Sequence, residues 1–284
     1  MIKKLFDRRA GEDDNEMSFI DHLEALRWHV IRSLIVVIIL AVVIFINIQW
    51  FFDYVIAGPI NKNFVSYRML CKLAEVTHIS ALCVEPVTVP MQTTTYAGQF
   101  LGSFSIAFIG AFVVAFPYVF WEFWRFVKPA LNEKELKSSG FAIFWVSFFF
   151  FTGAAFGYFI LGPFVFSFLA NFQISGQEMM KTIPTLNDYI DNLTNIVLGC
   201  GIAFELPVLA YVLTRVGLVT PGFLKRSRKY AIVIILILAA FITPSPDMIS
   251  QLIVFIPLMS LYEFGIIVSK RVYKKLEEED RQWS

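Results

Sequence analysis

Glu205 stands in the run CGIAFELPVL (200–209) and is the one charge in the window 192–214, with Pro207 two residues further on. A carboxylate near the bilayer centre raises the insertion free energy by about 2.5–3.5 kcal/mol on translocon scales. Such a group is tolerated when it faces a wet cavity or carries its proton. Pro207 lacks a backbone donor and clashes with the preceding turn, so it weakens the helix beside Glu205 and helps such a cavity to open. Two readings stay open on these residues. One is an intramembrane carboxylate facing a hydrated groove; the other is a neutral glutamate hydrogen-bonded inside a helix bundle.

Little other chemistry is on offer. His22, His29 and His78 are not spaced as metal ligands, so no metal site is expected. No glycine-rich phosphate loop and no nucleophile elbow occurs, so neither a cofactor nor an enzymatic activity is expected. Basic clusters flank apolar windows, where membrane topology accounts for them, and nucleic-acid binding has no support.

The elements that must position Glu205 are membrane spans. The chain of 284 residues is 57% hydrophobic and 17% charged, against roughly 25% charged in soluble domains. A hydrocarbon core about 30 Å thick takes roughly 20 apolar residues per helical crossing. Windows at 33–52, 97–121, 141–164, 192–214, 230–246 and 248–269 each hold at most one charge. The expected fold is an all-α integral membrane protein of six transmembrane helices cupped around a concave groove. Pro117, Pro163, Pro207 and Pro257 lie well inside spans and are expected to bend them. No repeat is visible, so a single membrane domain is read over 18–270, between a flexible tail at 1–17 and a charged tail at 271–284. The polar start MIKKLFDRRAGEDDNE has no apolar region of a cleavable signal peptide. The fifth apolar helix, 230–242, is about 20 Å long. It is either a short crossing that thins the bilayer or half of a re-entrant hairpin.

Lys and Arg then orient the spans. Six precede the first span, four lie between the second and third, five between the fourth and fifth, and five after the sixth. The other side holds Lys62, Arg68, Lys72 and Lys181. Both termini are therefore expected to be cytoplasmic. Before the first span, SFIDHLEALRWHVIR (18–32) places Phe19, Leu23, Leu26 and Val30 on one stripe, as an amphipathic helix or a surface lead-in to the span. Trp121, Trp124 and their Phe neighbours read as an interfacial aromatic belt.

An ordered set of motifs resembles the TatC family, the multi-spanning subunit of the Sec-independent, twin-arginine protein translocase. The set is HLEALR (22–27), FPYVFWEFWRFVKPALNEKE (116–135), FELPV (204–208), ITPSPDMISQ (242–251) and IPLMSLYEFG (256–265). The resemblance implies a receptor that recognises twin-arginine signal peptides of folded proteins and recruits single-span TatA/TatB-type partners. Assembly in an oligomeric complex, driven by the proton-motive force and set in inner-membrane lipid, is part of that implication. Phe126 and Glu135 match the family's signal-recognition residues, with Glu24 and Arg27 in the leading motif. Glu205 matches the intramembrane carboxylate. Asp247 and Gln251, beside Thr243, match the outer tip of the last two spans, where a partner helix is expected to dock. Pro59 matches a structural proline of the first external loop, and Pro117 and Pro207 are expected to shape the spans. The chain departs from the family at Ala25, where a glutamate is usual; Glu24 is rotated about 100° from that place.

Cys71 and Cys83 lie in the loop expected outside, where disulfides persist. They would close a loop worth roughly 3 kcal/mol by chain entropy; two free thiols is the alternative. The rival function is a proton-coupled small-molecule transporter with Glu205 as its proton site. Transporters of that kind usually show inverted repeats and paired broken helices, and this chain shows no repeat.

Overall fold

The structure is a computed structural model and describes residues 19–78, 83, 90–127, 139–172, 183–243 and 248–281. In hydrocarbon every backbone N–H and C=O needs a partner within the chain, and helices meet that need for uncharged windows. The described residues are accordingly helical, apart from turns, loops and a single bridge between Gln92 and Thr185. Helix α1 (Phe19–Ile46) leads through a helical turn at Ile48–Phe51 and a wide π turn at Phe52–Ile56 to α2 (Val65–Thr77). Then come α3 (Gly98–Val127), α4 (Ser139–Phe156), α5 (Gly162–Asn171), α6 (Leu186–Ala203) and α7 (Leu206–Arg215). The chain ends with α8 (Pro221–Arg226), α9 (Arg228–Ile242) and α10 (Met248–Arg281).

Among the described residues, five helical stretches are long and apolar enough to cross a membrane: Glu24–Ile46, Gly98–Phe126, Ile143–Asn171, Leu186–Arg215 and Met248–Glu278. This is a multi-pass membrane architecture. Helix α9 is also apolar but has 15 residues, about 22 Å at 1.5 Å per residue, which is shorter than a hydrocarbon core. The amphipathic lead-in and the first span form one continuous helix, α1, rather than two elements. Helix α10 likewise runs on through the charged segment to Arg281, and residues 1–17 lie outside the described residues.

The prolines act in different ways. Pro117 and Pro257 sit inside uninterrupted helices. Before Pro163 the helix widens into a π turn at Gly157–Leu161, with the Gly162 amide reaching back to the Gly157 carbonyl. That turn lets the helix continue past the proline to Asn171, beyond the end expected from the apolar window. At Pro207 the helix does break: α6 ends at Ala203 and α7 starts at Leu206, with Glu205 in the gap.

Packing follows membrane rules, in which helices meet through small residues because lipid is as apolar as leucine. Helix α1 turns Leu34, Ile35, Ile38, Ile39, Val42 and Val43 outward, and buries Val37 and Ala41 against Ala111 and Ala115 of α3. Helices α4 and α6 come closer still. A Cβ on Gly153 would lie 2.4 Å from the Cys200 carbonyl oxygen, and one on Gly157 would lie 2.8 Å from that of Ile196. No larger residue fits there without separating the helices. The start of α6 is secured by Thr185 and Asp188, whose side chains reciprocally bond each other's backbone amides. The central core joins Leu161, Val165, Ile196, Ala239, Val254 and Leu258 from the π turn, α5, α6, α9 and α10.

Cys71, in α2, and Cys83 are joined by a disulfide, with their Cα atoms 4.1 Å apart; Cys200 is free and buried. Alkylation of SDS-denatured protein with a mass-tagging maleimide should therefore add one tag before reduction and three after it. Addition of three tags without reduction would show that the bridge does not form.

Candidate functional site

Two buried carboxyl groups define the chemistry of this bundle. The first, Glu122, directly follows the apolar window 97–121. It is 1% exposed, and it is reached from α1 by His29, whose Nδ1–H donates to Glu122 Oε2 at 2.5 Å. The Tyr118 hydroxyl donates to Oε1 at 3.1 Å. Both oxygens are thus bonded, as an internal carboxylate requires. Arg125 stacks over the Trp121 ring at 5.0 Å, so an aromatic read as membrane belt also steadies a cation. Sequence reasoning missed this cluster. Its signal was the four-residue spacing of Tyr118, Glu122 and Phe126, which puts them on one stripe of α3.

Phe126 is half-buried at the end of the same stripe, with its ring 6.3 Å from that of His29 and inclined at 63°. Glu24 and Arg27 are exposed on α1, five and two residues before His29. Glu24, Arg27 and Phe126 are therefore carried by two helices packed together at one end of the bundle. Glu135 lies outside the described residues. Trp124, Trp145, Tyr211 and Arg271 line a cavity of about 450 Å³ where α3, α4, α7 and α10 meet. The Arg228 guanidinium donates to Glu263 at 2.7 Å, and the hydroxyls of Thr214 and Ser269 bond at 2.7 Å.

The second carboxyl group, Glu205, sits in the gap between α6 and α7. Both its oxygens are buried and, among the described residues, neither has a hydrogen-bond partner. The Phe150 backbone amide is close to it but does not complete a bond. Phe150 itself is fully buried and stacks on Phe116 at 3.5 Å. Of the two readings of Glu205, a glutamate bonded within the bundle is not what this geometry displays.

At the other end, three tyrosine hydroxyls tie down the turn after α1. Tyr67 donates to the Pro59 carbonyl at 2.6 Å, Tyr189 to that of Ile56 at 2.5 Å, and Tyr158 to that of Val55. Pro59 is fully buried, so its place is one of fit rather than contact with a ligand. In the α9–α10 hairpin Thr243 is 5% exposed and donates to the Ala239 carbonyl at 2.9 Å. Gln251 donates across the hairpin to the Leu236 carbonyl at 3.3 Å. The exposed apolar residues there include Phe241 and Met248, 88% and 76% exposed. Asp247 lies outside the described residues.

The family described as "Sec-independent protein translocase protein (TatC)" matches residues 21–257. The chain belongs to the TatC family. Among its relatives, the Sec-independent protein translocase protein TatC of Blattabacterium sp. subsp. Periplaneta americana is 41% identical over 93% of this chain and 98% of its own. The TatC of Halalkalibacterium halodurans is 34% identical over 94% of each chain. A crystal structure titled as a twin-arginine translocase receptor TatC is similar, at a TM-score of 0.66 and 30% identity. That match covers 88% of this chain and 99% of the other. The range matched by the TatC family takes in Glu24, His29, Glu122, Phe126, Glu205 and Gln251.

A buried carboxyl group with no partner lowers the stability of this TatC family member relative to an apolar side chain of similar size. Glu205→Met should leave the unfolding midpoint in detergent unchanged or raise stability by about 1–3 kcal/mol. A clear fall in the midpoint on a thermal melt would mean that the carboxyl group holds the fold together.

Proposed function

We propose that this chain is the receptor subunit of a twin-arginine protein translocase. It binds the signal peptides of folded proteins at its basic, cytoplasmic end and recruits single-span TatA/TatB-type partners for export driven by the proton-motive force. The observation that carries this reading is the match, over nearly the whole of both chains, to a structure titled as a twin-arginine translocase receptor. The chain acts in an oligomeric complex of the inner membrane, as a receptor rather than an enzyme. It has six crossings with both termini cytoplasmic, and α9 and α10 form a short pair that thins the bilayer locally.

The residues take roles that fit their placement. Two adjacent guanidinium groups call for carboxylates that accept planar, charge-assisted hydrogen bonds. Glu135 is the main contact and exposed Glu24 supplies the second charge in place of the family's glutamate at Ala25, with Arg27 and Phe126 beside them. Glu205 waits for a polar group on a partner helix, which supports its retention despite the cost of an unbonded carboxyl group in a dry setting. The partner docks along the α9–α10 hairpin near Thr243, Asp247 and Gln251, and the exposed Phe241 and Met248 offer it an apolar face. A proton-coupled small-molecule transporter is not favoured, because the relatives are named as protein translocase components.

Site-specific crosslinking tests recognition directly. An Arg-Arg signal peptide should crosslink to the parent chain, and a Lys-Lys peptide should do so far less, because lysine lacks the bidentate fork. Glu135→Arg should abolish the Arg-Arg product; equal crosslinking of both peptides would reject the receptor reading. Transport tests the second carboxyl group. Glu205→Ala membranes should bind the Arg-Arg peptide normally yet export little folded precursor, and undiminished export would remove Glu205 from the mechanism.

A further inference from the structure

We infer that His29, held by Glu122 and Tyr118, is a positioning residue for signal-peptide binding that acts through Phe126. This rests on the receptor reading above. Its starting point is the carboxylate of Glu122, which is 1% exposed and bonded through both oxygens. A charge in that setting leaves its partner little freedom, since removing the partner strands the charge in a medium that solvates it poorly. The imidazole of His29 is therefore pinned through Nδ1. Its ring lies edge-on to Phe126, which stands four residues after Glu122 on the same stripe of α3. A side chain gripped on one side by a buried carboxylate limits the rotation of the aromatic ring on its other side.

The same contact links the two helices that carry the site. His29 follows Glu24 and Arg27 on α1, while Glu122 and Phe126 are on α3, so one hydrogen bond spanning 93 residues of sequence sets α1 and Phe126 in register. Small contacts at Val37, Ala41, Ala111 and Ala115 pack the same two helices deeper in the bundle.

The charges around the cluster argue against direct contact with the signal arginines. Arg32 and Arg125 both lie within electrostatic reach of Tyr118, and Arg125 also of Glu122. Glu122 is enclosed behind His29, whose side chain is 17% exposed. A guanidinium arriving here would be repelled by Arg125 and would find both carboxylate oxygens already bonded to His29 and Tyr118. The cluster shapes the site from beneath; it does not receive the ligand.

A double-mutant cycle on the full chain in detergent tests this, with the dissociation constant of a fluorescent Arg-Arg signal peptide as the readout and the Lys-Lys peptide as control. His29→Leu should weaken Arg-Arg binding about tenfold. His29→Gln, which can still donate to Glu122, should stay within about threefold of the parent. In a Phe126→Leu background, His29→Leu should change affinity by less than about twofold, because the residue it acts through is gone. Where His29→Leu does not purify folded, Glu122→Ala takes its place in the cycle, since it releases the imidazole while leaving it present. Equal, additive losses in both backgrounds would assign His29 to the general fold and overturn the inference, as would full affinity in His29→Leu. If the parent fails to distinguish Arg-Arg from Lys-Lys, the receptor reading itself fails, and that result is separate from the cycle.

Discussion

The free energy of withdrawing a carboxylate from water orders much of this structure. A membrane bundle offers few polar partners, so each buried acid has to be met by a specific group or left unmet at a cost to stability. Glu122 and Glu205 represent the two outcomes. Glu122 has His29 and Tyr118 on its two oxygens and fixes α1 against α3. Glu205 has no bonded partner among the described residues and sits where the helix is already broken. The first contributes to the architecture. The second is a carboxyl group left without a bonded partner among the described residues.

Backbone satisfaction and close packing supply the frame for these acids. Prolines at 163 and 207 each remove a donor, and the chain answers them differently, with a π turn in one case and an interruption in the other. The difference follows from neighbours. The π turn packs against α6 through Gly157, where the backbones nearly touch, so the helix is held on course. The interruption at Phe204–Glu205 lies where Phe204 packs beside Phe156 at 5.4 Å between ring centroids and Pro207 is wholly buried against α10. Tyrosine hydroxyls from α2, the π turn and α6 then anchor the outer turn that carries Pro59.

Much of this was legible in the residues. Five of the six apolar windows coincide with helices long and apolar enough to cross a membrane, because bilayer insertion is governed by a sum of transfer free energies over about 20 consecutive residues and needs no tertiary knowledge. The weakness at Pro207 and the oddness of Glu205 were also local facts. The ends of helices were less legible: α1, α5 and α10 all extend past their apolar windows, since a helix can continue into water once its hydrogen bonds have been nucleated.

The site divided along the same line. Its acids and aromatics could be named from sequence motifs, because residue type and helical spacing are properties of a single segment. Which acid is paired could not. His29 and Glu122 lie 93 residues apart, and nothing in either segment specifies that their faces will meet. Only the packing of α1 on α3 through Val37, Ala41, Ala111 and Ala115 decided that one carboxylate would be bonded, and the arrangement around the gap at 204–205 decided that the other would not. Sequence by itself determined which segments enter the membrane, where the backbone must yield and which side chains carry charge into it. Tertiary structure decided which of those charges found a partner, because hydrogen bonding acts over about 3 Å and depends on how separate helices are placed rather than on what any one of them contains.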